Sequence, residues 1–560
     1  MRMPLRGRLR DLLTAPSGVT GAAVETAVET SPRADEAATP TTRRAALLAR
    51  LPLLALVFVG GMSSMSLEMC ASRLMAPYFG TSLFVWANLI GLVLIYLSTG
   101  YFIGGRLADR YPSPRLLCTL TAIAAVYTGL IPFISKPALE LSVRGLDPNA
   151  PNAGVFIGSM LAVILLFLVP VTLLGVVSPF AVRLSVRAVG STGRSAGGLY
   201  SLSTAGSIVG TFLPVLALIP AWGVQRTIIA TGVALLAASL WGLRLPVRAV
   251  ASLPAAVLLV PLLLPQIAPL GPLKSIPGMI YEQESFYNYI QVVQDPDGTR
   301  KLVLNEGQAV HSIYNPDRVL TGPEWYNDYI LAAPFFNSGA AAGQLRRVGI
   351  IGLAGGTIAR QVTAAFGPIP IDGVELDPAV VDVGRRYFGM TEPNLHVYVG
   401  DGRTFLRATH ATYDLVNVDA YQQPYIPFHL ATKEFFEEIK AHLSPTGAVT
   451  VTTGHTRTDR RLVDAFVKTL SAVYPSVYTM DIPETISTEI IATVSPTSIG
   501  TLSANFARVP IGTLLSVVGS EVLPVVRAAT PHADAVLFTD DRAPIEQITD
   551  QLILSYIENK

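Results

Sequence analysis

The sequence contains little cysteine and little charge. Its 560 residues include two cysteines, Cys70 and Cys118, and both lie in apolar stretches. The C-terminal half therefore holds neither a disulfide nor a cysteine-based zinc site, and we expect no metal cofactor. Charged residues make up 14% of the chain, against about 25% in an ordinary soluble protein. The net charge of +1 gives no electrostatic reason to expect nucleic acid as a partner.

Residues 1–45 show no hydrophobic periodicity. They are rich in Ala, Thr, Pro, Ser and Arg, and this composition predicts a disordered basic arm. Their acidic residues argue against a transit peptide, and no short apolar stretch with a small-residue cleavage site precedes the hydrophobic region. We therefore expect neither a transit peptide nor a cleaved signal.

Long apolar runs follow in residues 46–270 and predict a membrane domain of about seven helices. Each run approaches the roughly 20 residues that a membrane-spanning helix needs. The last is the weakest, because three prolines interrupt it. Many Gly, Ala and Ser residues in the fifth run predict close packing inside the bundle, and the lipid bilayer is an expected partner. The runs are 51–70, 83–104, 116–134, 154–180, 198–221, 227–243 and 250–268.

The C-terminal half changes to strand and helix patterns. Residues 278–335 predict a small β-domain, in which Asp295-Pro-Asp-Gly298 between two apolar runs indicates a hairpin. Residues 340–500 alternate strands with helices, which predicts a doubly wound, Rossmann-like parallel sheet. Its last two strands leave no room for a helix between them, so we expect an antiparallel hairpin at the sheet edge. Residues 501–560 are expected to form a helical tail.

Short motifs end the strands of this sheet in glycine or acid. Gly352 and Gly356 bound a turn that lets the backbone approach a ligand at the start of a helix. Glu375 is placed to accept hydrogen bonds from ribose hydroxyls, and Asp401 and Asp419 follow the next two strands. Each feature alone has a structural explanation, such as a tight turn, a surface acid or an Asx-turn. Together they indicate a site for a nucleoside-type cofactor.

These motifs resemble those of the spermidine synthases (polyamine aminopropyltransferases). The resemblance implies a methyltransferase-like Rossmann core behind a small β-domain, here fused to a multi-pass α-helical membrane domain as in a bacterial branch of the family. It implies that the Gly352 turn, Glu375 and Asp401 hold decarboxylated S-adenosylmethionine as co-substrate, with Asp401 accepting from the adenine amino group. Asn288 stands where the family has a Gln. Family members often form dimers, so a homodimer is a candidate assembly.

Two residues match the family's catalytic positions. Residues 326–330 (YNDYI) resemble its Tyr-Gln-Glu-Met-Ile motif, which puts Tyr326 at the catalytic tyrosine. Asp419 matches the first acid of its Asp-Ser-Ser-Asp loop, which orients and deprotonates the attacking amine. The sulfonium leaves as a neutral thioether, so the reaction needs no general acid. A carboxylate and a phenol that hold a deprotonated amine in line are sufficient.

Three departures weaken the site for an ordinary diamine acceptor. Gly355 replaces an Asp of the family's glycine motif, Gln422 replaces the second loop acid, and His311 stands at a Gln. A diamine is a dication, and its burial needs nearby carboxylates. We therefore expect putrescine or a less cationic, or lipid-linked, amine near Gln422, His311 and Asp541. The stretch around Asp541, residues 539–544, resembles one in the fused branch and either closes over the site or caps a helix.

Three functions are consistent with this sequence. The first is an integral-membrane transferase that moves an aminopropyl group to an amine acceptor by means of Asp419 and Tyr326. The second is an S-adenosylmethionine-dependent methyltransferase on the same fold. Gly355 modestly favours it, because it removes a repulsive acid from the neighbourhood of that donor's carboxylate. The third is a nucleoside-sensing transporter without catalysis.

The orientation in the cell membrane is predicted from loop charge. Arginine-rich loops alternate with poorer ones and place the N-terminus in the cytoplasm. An odd number of spans would then put the C-terminal half on the opposite side. A cytosolic nucleoside co-substrate instead favours a cytoplasmic enzyme half, and we adopt that expectation although loop charge and span count argue otherwise.

Overall fold

The structure is a computed structural model that describes residues 40–80, 83–143, 151–185, 192–243, 270–305, 309–339, 342–421 and 425–558, with isolated helical residues between 259 and 266. The predicted basic arm lies outside these residues up to position 39. Its last six positions, 40–45, are helical, because Pro40 suits a helix start and the Ala, Leu and Arg that follow favour helix. Contacts divide the chain into Met1–Leu51 and Pro52–Lys560, and the second unit contains all the later elements.

Six helices among the described residues are long and apolar enough to cross a membrane. They correspond to the first six predicted runs, whereas the seventh, 250–268, lies almost entirely outside the described residues. The helices are α1 (Pro40–Phe79), α2 (Leu83–Arg110), α3 (Pro114–Val143), α4 (Pro151–Gly175), α5 (Val177–Ser185), α6 (Thr192–Leu213), α7 (Ile219–Trp222) and α8 (Val224–Gly242), with a π-helical turn at Pro214–Leu218. The pairs α4–α5 and α6–α7 each belong to one span.

Helix α6 meets α1 through glycine. A Cβ atom on Gly206 would lie 2.0 Å from the carbonyl oxygen of Phe58, and one on Gly210 would lie 2.1 Å from that of Met62. Small residues permit such close approach of helix backbones, so close packing is confirmed on this face. The expectation that the whole run lies inside the bundle is wrong. This span is the least buried of the six, and a Cβ atom on Gly198 would meet nothing within 4 Å.

Two sheets follow the bundle. The first is an antiparallel meander in the order β1-β2-β3-β4, with the predicted hairpin turn at residues 295–298 between β2 and β3. The second has eight strands in the order β12-β10-β11-β9-β8-β5-β6-β7. The strands of the meander are β1 (Met279–Glu284), β2 (Tyr289–Gln294), β3 (Arg300–Leu304) and β4 (Val310–Tyr314). The strands of the large sheet are β5 (Val348–Ile351), β6 (Ile371–Glu375), β7 (Leu395–Val399), β8 (Tyr413–Val418), β9 (Leu443–Gly454), β10 (Ser476–Asp481), β11 (Ser487–Thr493) and β12 (Val526–Ala528).

The large sheet has the predicted doubly wound arrangement. Strands β7, β6, β5, β8 and β9 are parallel, and β11, β10 and β12 continue the sheet antiparallel. Buried apolar side chains form a core on each side of it. The remaining helices are α9 (Thr357–Phe366), α10 (Pro378–Tyr387), α11 (Gly402–Ala408), α12 (Lys433–Ala441), α13 (Arg461–Ser471), α14 (Ile499–Phe506), α15 (Leu514–Val525) and α16 (Ile545–Glu558), with 3₁₀ segments at Tyr326–Phe336 and Phe428–Leu430.

The strand order reverses between β5 and β8. From β5 the chain proceeds outward to β6 and β7, and it then returns to β8 on the other side of β5. The carboxyl ends of β5 and β8 therefore border the crevice in which sheets of this kind bind ligands. The Asp419 backbone N–H closes the junction with a 2.9 Å hydrogen bond to the carbonyl oxygen of Ile351.

The C-terminal tail is not purely helical as predicted. Residues 526–528 form β12, which pairs with β10. The β10–β11 hairpin is antiparallel as expected, but it does not lie at the sheet edge, because β12 covers it. A strand of three residues is too short to produce a periodic pattern, so only the pairing with β10 identifies it.

Hydrogen bonds join the small sheet to the membrane helices. The Glu284 carboxylate at the end of β1 accepts a 2.8 Å hydrogen bond from the backbone N–H of Val224, the first residue of α8. The Tyr78 hydroxyl at the end of α1 donates to the carbonyl oxygen of Leu273 at 2.8 Å. A carboxylate at a helix N-terminus satisfies a free N–H and faces the positive end of the helix dipole. The small sheet is therefore fixed against the bundle.

Replacing Gly210 by Leu is expected to force α1 and α6 apart. The new side chain would begin 2.1 Å from the carbonyl oxygen of Met62, and overpacking of this kind costs about 1–3 kcal/mol. Thermal unfolding of the purified chain in detergent measures the loss. Gly198→Leu is the control, since its Cβ atom would meet open space. Equal losses from the two variants would contradict the close helix contact.

Candidate active site

The structure brings the two predicted catalytic residues together where the strand order reverses. Asp419 follows β8, and the hydroxyl of Tyr326 donates a 2.7 Å hydrogen bond to its Oδ2 atom. Burial raises the pKa of Asp419 to about 7, against the lowering effect of this hydrogen bond. Burial and the charge of Asp419 raise the pKa of Tyr326 well above its usual value. The pair therefore combines a carboxylate that titrates near neutrality with a phenol that keeps its proton.

The segment that carries Tyr326 is anchored by a buried acid. Asp328 is fully buried and accepts hydrogen bonds from the Thr321 backbone N–H at 3.0 Å and hydroxyl at 2.7 Å. It also accepts from the Gly322 backbone N–H at 2.9 Å and from Nε2 of Gln361 at 2.6 Å. A buried carboxylate with four donors is well satisfied. These bonds hold Tyr326 at a fixed position beside β8.

The glycine turn lies directly against the loop that follows β8. Gly352 has φ +90°, and a Cβ atom on it would lie 2.4 Å from the carbonyl oxygen of Asp419. Gly356 has φ +87° and precedes α9, and a Cβ atom on it would lie 2.6 Å from Cγ of Met390. Glycine adopts such dihedrals without steric cost. Both predicted glycines are therefore required by backbone geometry.

Glu375 lies beside this turn at the end of β6. Its Oε2 atom accepts a 2.9 Å hydrogen bond from the Ala354 backbone N–H, and its Oε1 atom accepts one of 3.0 Å from that of Asp377. Burial raises the pKa of Glu375, although these backbone bonds lower it. Since a carboxylate has about four acceptor positions, the side chain is oriented and retains capacity for ribose hydroxyls.

Asn288 reaches the same edge through Asp377. The Asn288 Nδ2 atom donates a 2.9 Å hydrogen bond to Oδ2 of Asp377, which also accepts from the Ser285 hydroxyl. Asp377 in turn caps α10 by accepting from the Ala379 backbone N–H at 2.9 Å. Asn288 thus supports the acidic edge, and its predicted contact with the co-substrate stays a prediction.

Asp401 is the N-cap residue of α11 and contacts His429. Its Oδ1 atom accepts a 2.8 Å hydrogen bond from the Thr404 backbone N–H, which caps the helix, and its Oδ2 atom lies 2.8 Å from Nε2 of His429. Burial raises the pKa of Asp401, but the bonds from His429 and Thr404 outweigh it and hold the pKa below its usual value. The capping role does not exclude an adenine contact, because acceptor positions remain.

Arg403 ties the C-terminal tail to this side of the site. Its Nη1 and Nη2 atoms donate to the two carboxylate oxygens of Asp540 at 2.8 Å each, and Nη1 donates to the carbonyl oxygen of His429 at 3.1 Å. Glu438 also pairs with the guanidinium at 2.8 Å. Asp541, predicted at the acceptor site, is exposed beside this cluster. Its role stays a prediction.

Strand β4 covers the glycine turn and explains one departure from the family pattern. The Gly355 backbone N–H donates a 2.7 Å hydrogen bond to the Ser312 hydroxyl. A Cβ atom on Gly355 would lie 2.9 Å from Cβ of Ser312 and 3.0 Å from Cγ of Phe388, so an Asp side chain does not fit.

His311, next to Ser312 in β4, has a buried Nε2 atom with no hydrogen-bond partner in the described part of the chain. Burial lowers its pKa to about 4, so it is uncharged at neutral pH. Its place at the acceptor site stays a prediction.

The structure also brings unpredicted residues to Asp419. The Tyr421 hydroxyl donates to the carbonyl oxygen of Thr452. The Thr452 hydroxyl donates a 2.8 Å hydrogen bond to Oε2 of Glu489 in β11. An acid inside the otherwise uncharged strand 487–493 (STEIIAT) is the signal that could have identified Glu489. Gln422, predicted at the acceptor site, lies outside the described residues.

The chain is similar to known proteins over the region that builds this site. A family model described as the spermine/spermidine synthase domain matches residues 325–501. A probable polyamine aminopropyl transferase of Bifidobacterium longum is 32% identical over 296 residues, 49% of this chain and 64% of the relative. A polyamine aminopropyltransferase of Vibrio vulnificus is 30% identical over 214 residues, 37% of this chain and 68% of the relative. A solved probable spermidine synthase from Corynebacterium glutamicum has 18% identity and a TM-score of 0.37, covering 48% of this chain and 98% of its own.

A doubly wound sheet with a glycine turn, an acid at the end of the neighbouring strand and a buried acid–phenol pair defines a methyltransferase-like α/β domain. Within that class, the chain belongs to the polyamine aminopropyltransferase family. The resemblance seen in the sequence is thereby confirmed. The family model leaves out the membrane helices α1–α8, and the chain spans 64% of the B. longum relative's length.

Restoring the family's acid by Gly355→Asp is expected to destabilise the fold by about 1–3 kcal/mol, because the site has no space for a side chain. The new Cβ atom would lie 2.9 Å from that of Ser312, so adding Ser312→Gly should recover part of the loss. Thermal unfolding measures both effects. Gly500→Ala serves as control, since its Cβ atom would lie 3.7 Å from the nearest atom. A Gly355→Asp variant as stable as the parent would show that the turn is not tightly covered.

Proposed function

We propose that this protein is an integral-membrane aminopropyltransferase that transfers the aminopropyl group of decarboxylated S-adenosylmethionine to an amine. The observation that carries the proposal is the 2.7 Å hydrogen bond between Tyr326 and Asp419, directly beside the glycine turn. Membership of the polyamine aminopropyltransferase family supports the same reaction. The six apolar helices support a position in the membrane.

In the proposed donor site, the adenosyl part lies along the carboxyl ends of β5, β6 and β7. The turn from Gly352 to Gly356 approaches the donor closely, Glu375 accepts from the ribose hydroxyls, and Asp401 accepts from the adenine amino group. Glu375 is already oriented by the backbone N–H groups of Ala354 and Asp377. Pre-orientation of this kind reduces the entropic cost of binding.

In the proposed reaction, Asp419 takes a proton from the acceptor ammonium and so produces a neutral amine. The amine nitrogen attacks the aminopropyl carbon next to the sulfonium. A C–N bond forms, the C–S bond breaks, and its electron pair remains on sulfur as a neutral thioether. Tyr326 keeps its proton and orients the Asp419 carboxylate through their hydrogen bond. Holding the two reactants in line supplies the rest of the acceleration.

Purified chain is expected to transfer an aminopropyl group from decarboxylated S-adenosylmethionine to a primary amine. Asp419→Asn should lower kcat/KM about 10³-fold, since general-base catalysis contributes that order. Because burial raises the pKa of Asp419 to about 7, its active, ionised form is lost as pH falls. Activity of the parent should therefore decrease about tenfold per pH unit below 7 and level off above it. Product formation followed by mass spectrometry measures both.

The control for this experiment is Asp534→Asn, which changes an exposed aspartate and is expected to keep full activity. Offering S-adenosylmethionine in the same assay separates the methyltransferase alternative. Formation of a methylated amine instead of the aminopropyl product would contradict the proposal and support the methyltransferase. If neither product formed with any of a panel of amines, the nucleoside-sensing transporter without catalysis would be favoured.

We place the catalytic half on the cytoplasmic side. Six spans among the described residues return the chain to the side of the arginine-rich N-terminal arm, and the donor is a cytosolic nucleoside. A green fluorescent protein fused after Lys560 is therefore expected to fluoresce, and alkaline phosphatase fused there to be inactive. Fusions truncated after Val143, behind three spans, should show the reverse. An active phosphatase at Lys560 would place the catalytic half outside and imply a further crossing.

A further inference from the structure

Glu489 is a buried acid in the large sheet that the proposed reaction does not use. It lies in β11 with 0% of its surface exposed and is in register with Thr452 of β9. The Thr452 hydroxyl donates to its Oε2 atom at 2.8 Å, whereas its Oε1 atom has no hydrogen-bond partner among the described residues. Burying a carboxyl oxygen without a partner costs free energy. The position therefore calls for an explanation beyond stability.

Glu489 is linked to the catalytic pair. The carbonyl oxygen of Thr452 accepts from the hydroxyl of Tyr421, two residues after Asp419. Burial, and in addition the charge of Asp419, raise the pKa of Glu489. The charge of Glu489 contributes in the same direction at Tyr326 and Tyr421. Glu489 thus lies close enough to the Asp419 site to share its electrostatic field.

The acceptor site otherwise lacks a second acid. Gln422 occupies the second acidic position of the family loop, and β4 leaves no space for a side chain at Gly355. A buried dication is compensated when each ammonium group meets a carboxylate. With Asp419 alone, one ammonium group of a diamine would remain uncompensated. Glu489 supplies a second carboxylate from a strand distant in sequence.

We infer that Glu489 binds the second ammonium group of a short linear diamine whose first amino group lies at Asp419. This inference rests on the proposed function and specifies its acceptor as a diamine. The Oε1 atom receives the ammonium group, while the Thr452 hydroxyl holds Oε2. A monoamine of the same length leaves Oε1 without a partner and gains nothing from Glu489.

The test compares Glu489→Gln with the parent, as full-length chain in lipid nanodiscs saturated with 5′-methylthioadenosine. Gln keeps the size of the side chain and its hydrogen bond from Thr452 but removes the charge. Calorimetric titration with 1,4-diaminobutane is expected to show a Kd raised at least about 30-fold, as for the loss of one partner of a buried charge pair. The Kd for butylamine should change less than about threefold. The KM values of the two amines should follow the same pattern.

The matched control is Glu521→Gln in α15. Glu521 also has a buried carboxyl oxygen without a hydrogen-bond partner among the described residues. Burial likewise raises its pKa, in this case to about 7, but its acidic neighbours are Asp328 and Glu324. This variant should leave the affinity for both amines unchanged. Binding of 5′-methylthioadenosine reports folding. Should Glu489→Gln fail to fold, Thr452→Val, which frees the glutamate side chain, should show a weaker loss with the same selectivity.

Equal weakening of the two amines, or weakening of neither, would overturn the assignment of Glu489. So would a parent protein that binds the diamine no more tightly than butylamine. Failure of the proposed reaction would be a different result. If the diamine bound in a Glu489-dependent manner but no aminopropyl group were transferred from decarboxylated S-adenosylmethionine, the assignment of Glu489 would stand and the proposed reaction would be wrong.

Discussion

The close approach of β5 to the loop after β8 is the constraint on which the site depends. Gly352 has φ +90°, and a Cβ atom there would lie 2.4 Å from the carbonyl oxygen of Asp419. Glycine alone meets both conditions without strain. The contact places the glycine turn directly beside the Asp419 carboxylate. In the proposed reaction, the donor and the acceptor amine therefore meet at one point of the sheet.

Burial determines the chemical character of this point. It raises the pKa values of Asp419, Glu375 and Glu489. Their hydrogen bonds come from neutral donors, among them the hydroxyls of Tyr326 and Thr452, and no salt bridge to them is found among the described residues. Such acids are costly to the fold, and a cationic ligand relieves that cost. The site is suited to cations because the protein does not neutralise its acids internally.

The small sheet connects this chemistry to the membrane helices. Glu284 at the end of β1 caps α8 at 2.8 Å. Four residues later, Asn288 donates to Asp377, whose backbone N–H donates to Glu375. One β-hairpin therefore contacts both the bundle and the edge of the large sheet that carries Glu375.

The doubly wound core, the six described apolar helices among the seven predicted, and Asp419 and Tyr326 as a pair could be predicted from the sequence, partly by pattern and partly by family resemblance. Hydrophobic periodicity and glycine turns are local properties, so neighbouring residues suffice to recognise them. The strand β12, the cover of Ser312 over Gly355 and the link from Glu489 through Thr452 to Tyr421 became visible only in three dimensions. The Arg403–Asp540 pair joins residues 137 positions apart. Such contacts depend on how distant segments pack, and no local pattern encodes that packing. The sequence by itself determined which chemistry the strand ends carry, whereas the tertiary structure decided which acids share one buried site.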